Sequence, residues 1–296
     1  MPDKDTVFVF FKTIKIMNRF MKLLSITDFS TTSKQALQYS IDLLNTSEVR
    51  ELHLLHVLED QKDTEKATQQ LHTFIEGIDN PKGIDIQTDL VLGDLYDEVG
   101  LYTQKQKFDF LVFGTHGAKG LQKVFGSHAV KLIQHTSCPC IVVQKEIAIG
   151  EDGIKEIALP LTLEVEDKKI LAYSAALAKQ LDARIEIIYP EHSDEFLAAT
   201  IRRNLNFTTG HFKEQNIPFG TNAVPAGKDF DDHVIRVADE KECDLIAVVN
   251  HHEDGIRNLF GWSFDQNMIE NNAHIPVLTI DAKPAGDVHD IFSTTR

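Results

Sequence analysis

The sequence predicts an α/β protein built as two doubly wound parallel-sheet domains in tandem. Three observations predict it. Strand-patterned and helix-patterned segments alternate through residues 22–143, the second half repeats that order, and Cys243 stands 135 positions after Phe108 at the head of a matching strand. Alternation of this kind calls for parallel strands joined by right-handed helical crossovers.

The elements follow in order. Residues 22–27 (KLLSIT) form a short apolar run stopped by Asp28-Phe29-Ser30, with Thr31, Thr32 and Ser33 as possible helix caps. Ala36, Leu37, Ser40, Ile41 and Leu44 then recur at helical spacing. Residues 52–58 (LHLLHVL) read as a second strand, 65–77 as a helix, 84–92 as an alternating strand and 93–105 as a helix. Residues 110–113 are a buried strand leading into a loop with Gly114, Gly117 and Gly120; a helix opens near Gly126-Ser127, and 140–143 closes the unit as another buried strand.

In the second half, residues 154–159, 184–189, 221–224, 243–249 and 277–280 read as strands, and 168–181 as the first helix. Gly120-Leu121-Gln122-Lys123-Val124-Phe125-Gly126 pairs without a gap with Gly255-Ile256-Arg257-Asn258-Leu259-Phe260-Gly261 at the same offset. The chain is therefore divided into an N-terminal extension (1–20), a first domain (21–145), a link, a second domain (154–283) and a polar tail (284–296). Met21, directly before the first strand, is a candidate initiator. The terminal strands 140–143 and 277–280 are expected to join the domains as a face-to-face pseudo-dimer, each covering the other's edge if they pair antiparallel.

Bulk composition narrows the function. With 296 residues, 42% hydrophobic and 25% charged, the chain can bury two cores. A net charge of -15 without a segregated basic patch excludes general nucleic-acid and anionic-membrane binding. Cys138, Cys140 and Cys243 are too few for a disulfide framework, which points to a reducing cytoplasm. The nearest approach to a membrane segment, residues 7–16 (VFVFFKTIKI), contains Lys12 and Lys15 and lacks a cleavage site, so it reads as neither signal nor anchor.

The chemistry concentrates at the glycine loop. A strand that delivers its backbone into a glycine-rich turn and then a helix N-terminus aims free N–H groups and the positive helix end at one point, which suits phosphate. Cys138-Pro139-Cys140 and His251-His252 lack the further ligands that a metal site needs, and core packing and a solvated loop account for them. No nucleophile with a base and an orienting acid can be assembled, so no catalytic residue is assigned.

These residues resemble the universal stress protein family in its tandem form: Thr27-Asp28-Phe29-Ser30, Leu54-Leu55-His56-Val57, the run from Asp109 to Gly117, Gly126-Ser127 and Cys138-Pro139-Cys140-Ile141-Val142-Val143. The resemblance implies adenine nucleotide binding, with ATP and an accompanying Mg²⁺ as cofactors. It places Asp28 and the backbone of Val57 against ribose and adenine, Gly114 and Gly117 under the phosphates, and Gly126 and Ser127 at their far end. ATP-holding members carry nine residues between the second and third glycines of the motif; here eight, 118–125, precede Gly126. In the second half Asp28 falls opposite Leu161 or Thr162, Gly114 opposite Val249, Gly117 opposite His252 and Ser127 opposite Trp262, with acidic Glu253-Asp254 where phosphates would lie, so no nucleotide is expected there. The function implied is stress-linked sensing or regulation without turnover, although slow ATPase activity is not excluded. The alternative is a nucleotide-free scaffold acting through a protein partner, in either case as an intramolecular pseudo-dimer or a homodimer of it.

Overall fold

The computed structural model describes residues 20–46, 49–115, 125–144, 149, 153–163, 167–250, 268–269 and 271–281. The first half contains β1 (Phe20–Ile26), α1 (Thr31–Asn45), β2 (Val49–Leu58), α2 (Thr64–Glu76), β3 (Ile86–Leu92), α3 (Leu95–Gln106), β4 (Phe110–Gly114), α4 (Phe125–His135) and β5 (Cys140–Val143). The second contains β6 (Glu156–Pro160), α5 (Asp167–Leu181), β7 (Arg184–Glu191), α6 (Glu195–Gln215), β8 (Phe219–Pro225), α7 (Phe230–Glu240), β9 (Leu245–Asn250) and β10 (Val277–Asp281). Both halves are parallel α/β units, as predicted.

The halves meet edge to edge rather than face to face. The ten strands of the described residues form one sheet in the order β3-β2-β1-β4-β5-β10-β9-β6-β7-β8. The seam is the single antiparallel pairing among the described residues, β5 with β10, with Val277 opposite Val142, Leu278 opposite Ile141 and Thr279 opposite Cys140. The physical reason is that β5 and β10 are four-residue and five-residue edges whose backbone groups would otherwise face solvent or another chain.

Each strand alternates its side chains between two cores that run across both halves. On one face Leu23, Leu54, Phe110, Val112, Ile141, Leu245 and Ala247 pack under α1, α2, α5 and α6. On the other, Leu24, Leu55, Leu111, Phe113, Val142, Ile246 and Val248 pack under α3, α4 and α7. Period-two burial with both faces covered is what a parallel sheet requires.

The Asp that precedes each fourth strand is a structural clamp. Asp109 accepts the Lys22 backbone N–H at 2.7 Å, and its own N–H reaches the Lys22 carbonyl at 2.9 Å. Asp244 accepts from the N–H groups of Lys155 and Glu156 at 2.7 and 3.0 Å, and its N–H reaches the Glu156 carbonyl at 2.8 Å. The first helix of each half carries a tyrosine that senses the clamp aspartate of the other half. The buried Tyr39 phenol of α1 is pushed up by desolvation and by the charge of Asp244, while the Tyr173 phenol of α5 is pushed up to about 12 by desolvation, Cys138 and Asp109. The influence is reciprocal, as expected of two halves related by an approximate two-fold.

Several elements exceed the sequence expectation. α1 begins at Thr31, ahead of the apolar pattern, because Ser30 caps it by accepting the Ser33 N–H at 3.1 Å, and Thr32 and Ser33 are themselves buried. α6 and α7 were not assigned from sequence. α6 is set by Asp194, which accepts from Phe196 and Leu197 at 2.9 Å each, and is ended by Asn216 in the left-handed region at φ 56°.

Candidate functional site

In each half the strand order doubles back between its first and fourth strands, β1 and β4 in one, β6 and β9 in the other. The carboxyl ends of strands at such a switch point flank the crevice where open α/β sheets bind ligands. In the first half the strands there end on residues selected from sequence: Asp28 just past β1, Val57 near the end of β2 and Gly114 closing β4.

Local chemistry holds the Asp28 turn in place. The Thr27 N–H donates to the Leu55 carbonyl at 3.0 Å, continuing the β1–β2 ladder by one residue. The Thr27 hydroxyl accepts the Phe29 N–H at 2.9 Å and lies 3.0 Å from the Ser33 hydroxyl. Nδ1 of His56 donates to the Thr27 carbonyl at 2.7 Å, since a carbonyl can only accept. Phe29, at φ 64°, takes a backbone conformation that bulky residues rarely adopt; it is retained by that hydrogen bond and by contact with the His56 ring, 4.4 Å between centroids.

Asp28 is exposed and accepts the Ser30 N–H at 3.0 Å. Partial desolvation pushes its carboxyl up, but the hydrogen bonds from Ser30 and Ser33 together outweigh it and leave the group below its ordinary value. A carboxylate is therefore presented at the edge, able to accept from hydroxyl groups. Val57 is half-buried beside it.

Gly114 has a packing reason to be glycine. A Cβ there would lie 2.5 Å from Thr32 Cγ2 and 2.7 Å from the Thr32 carbonyl oxygen, so α1 crosses the end of β4 at a distance no side chain permits. Gly126 and Ser127 fall in the first turn of α4. Gly117 lies outside the described residues, as do His116 and Gly120. The structure thus brings Asp28, Val57 and Gly114 to one edge. Sequence reasoning missed Thr27, His56 and Ser33, which build the turn; each lay within or beside a motif already singled out.

The second half resolves the alternative left open for Asp28. Leu161 N–H donates to the Ile188 carbonyl at 2.8 Å, the place taken by Thr27 in the first half, so the counterpart of Asp28 is Thr162. Thr162 is buried, and Asn204 of α6 donates to its carbonyl at 3.0 Å. Val249, at the Gly114 position, is buried as well. Neither of these two positions holds a carboxylate, and α6 reaches the turn through Asn204. Among the described residues no group of three or more His, Cys, Asp or Glu side chains could hold a metal, and no helix is long and apolar enough to cross a membrane.

Comparison with known proteins agrees with this architecture. Residues 19–144 match the model of the universal stress protein family. A universal stress protein of Methanocaldococcus jannaschii is 36% identical over 64 residues, which cover 21% of this chain and 38% of that protein, so the match spans well under two thirds of the relative's length. Among solved structures, a universal stress protein from Archaeoglobus fulgidus DSM 4304 superposes with a TM-score of 0.66 at 14% identity, covering 88% of this chain and 98% of its own. A protein of unknown function from Pseudomonas aeruginosa PAO1 gives 0.59 at 12% identity, covering 90% and 94%. At these identities the structural likeness concerns the fold. The first half, residues 19–144, therefore matches a universal stress protein domain, and the fold of the whole chain is like that of a solved universal stress protein.

Proposed function

We propose that the first half binds an adenine nucleotide, ATP, in the crevice between the ends of β1 and β4, and that the chain acts in a stress-linked regulatory role by conformational response rather than turnover. The observation that carries this reading is the convergence of Asp28, Val57 and Gly114 at the switch point of the sheet, with the first turn of α4 supplied by Gly126 and Ser127. Asp28, held ionised, accepts from ribose hydroxyls. The Val57 backbone meets the adenine, Gly114 and Gly117 lie under the phosphates, and Ser127 donates at their far end. Mg²⁺ would arrive on the phosphate oxygens, as is usual for an ion that keeps most of its waters.

A nucleotide-free scaffold that works through a protein partner is supported by one observation: Gly114 is required by Thr32 whether or not a ligand is present. Binding separates the two readings. ATP at about 100 times its Kd adds about 2.7 kcal/mol of stability, a rise of several degrees in Tm that Asp28→Ala removes. No rise, together with no nucleotide in extracts of the purified protein, leaves the scaffold.

A further inference from the structure

The ten-stranded sheet ends on β3 at one side and β8 at the other, and among the described residues no strand lies beyond either. The two edges are finished differently. On β3 the Gly93 N–H reaches back to the Leu58 carbonyl of β2 at 3.0 Å, and in a parallel ladder alternate residues turn their backbone groups to the same side. Gln87, Asp89 and Val91 therefore serve β2, whereas Ile86, Thr88, Leu90 and Leu92 offer their N–H and carbonyl groups to the open edge. On β8 the Ala226 N–H reaches the Glu191 carbonyl of β7 at 3.3 Å, which turns Phe219, Thr221, Ala223 and Pro225 outward. Pro225 blunts that edge, because its nitrogen has no hydrogen to give. β3 has no such device. It runs for seven residues with neither lysine nor proline and ends beside two exposed leucines, Leu92 at 51% and Leu95 at 40%. Its one charged side chain, Asp89, is held by the Tyr102 hydroxyl at 2.6 Å.

An open strand of this kind is a template for another strand, and the sheet already grows in that way where β5 meets β10 antiparallel. The sequence of β3 fits its own copy. With Leu90 on a two-fold axis, Leu90 meets Leu90, exposed Thr88 meets exposed Leu92, and Asp89 meets Val91, so no like charges stand opposite one another. In that register Thr88, Leu90 and Leu92 each exchange N–H and carbonyl bonds with the facing strand. We propose that β3 is a self-association edge, through which two copies of this chain join antiparallel into one continuous sheet. The contact uses the same surface on both chains and so closes at two. Pro225 blunts the edge left at either end of the pair.

Gel filtration with light scattering on the full chain tests this, together with hydrogen exchange of the peptide spanning residues 86–92. The expected result is a mass of two chains and slow exchange over 86–92. Leu92→Lys, at an exposed position, raises the dimer dissociation constant by about tenfold or more and speeds that exchange. Leu92→Pro, which copies the device of β8, does the same, whereas Ala223→Lys on the β8 edge leaves both readouts unchanged. A monomer with fast exchange overturns the proposal. A dimer that survives Leu92→Lys, or one in which 86–92 exchanges fast, is held by another surface and overturns it as well. A mass above two chains means that β3 pairs with something other than its own copy, and slow exchange in a monomer places another segment of the same chain on the edge; either result overturns it too. Should Leu92→Pro fail to fold, Leu92→Lys decides the outcome.

Discussion

The two halves have the same strand order and the same aspartate clamp, yet their switch-point crevices differ. In the first half the turn after β1 presents an exposed carboxylate, Asp28, and β4 ends on glycine. In the second, the same positions hold buried Thr162 and Val249, and Asn204 reaches in from α6 to bond the Thr162 carbonyl. The clamp and the crevice therefore differ in kind: Asp109 and Asp244 serve the sheet in both halves, whereas the carboxylate of Asp28 has only Thr162 as its counterpart.

The polar groups at the opposite ends of the strands sharpen the contrast. Lys22 pairs with Glu51 at 2.7 Å, and His53 touches Glu51 at 2.8 Å, with Tyr102 donating to Asp89 at 2.6 Å. At the matching register Glu156 faces Arg184, which also bonds buried Glu186, and Asn222 donates to Glu186. The sign of the cross-strand pair is inverted between halves. What is preserved is a paired charge at a half-buried position, since breaking such a pair leaves one charge uncompensated.

The comparison can be broken or sharpened by substitution. Gly114→Val should cost the most, about 3 kcal/mol in chemical denaturation, because its Cβ would clash with the Thr32 backbone; a loss near zero would mean that α1 stands off from β4. Asp109→Ala and Asp244→Ala should each cost about 2 kcal/mol by leaving strand N–H groups unpaired, and a large difference between them would show that the clamps are not equivalent. Ser30→Ala should cost about 1 kcal/mol through loss of the α1 cap. Tyr39→Phe should be neutral or slightly stabilising in the same measurement, since the Tyr39 hydroxyl is buried without a partner.

Alkali supplies a test that spans both halves. Burial pushes the Cys140 and Cys243 thiols up to about 12. The folded state therefore favours the protonated thiols. Their contribution is complete below the ordinary thiol pKa and is lost as pH rises from there through about 12. Native-state alkylation of these two residues at pH 8 should be slow and become fast on unfolding.

Much of the fold was legible because apolar residues at period two and at helical spacing report burial directly, as in Leu23, Leu54 and Phe110, or Leu37, Ile41 and Leu44. α6 was not, since its outer faces are polar along 21 residues and its signals are the caps Asp194 and Asn216. The first turn of α1 was hidden because buried Thr32 and Ser33 look like solvent-facing residues until their partners are known. At the site, Asp28 and Gly114 could be found from motif spacing, but the support from Thr27 and Ser33 is a matter of which side chains turn back onto the loop, and that from His56 of a hydrogen bond to a residue at the end of the neighbouring strand. That Thr162, rather than Leu161, answers to Asp28 followed only from the sheet register.

The central claim is that the first half alone keeps a nucleotide crevice. The direct measurement is ATP titration of wild type beside Asp28→Ala and Thr162→Ala, followed by calorimetry. One equivalent of ATP, lost in Asp28→Ala and unchanged in Thr162→Ala, is the predicted result; two equivalents, none, or binding that survives Asp28→Ala would contradict it.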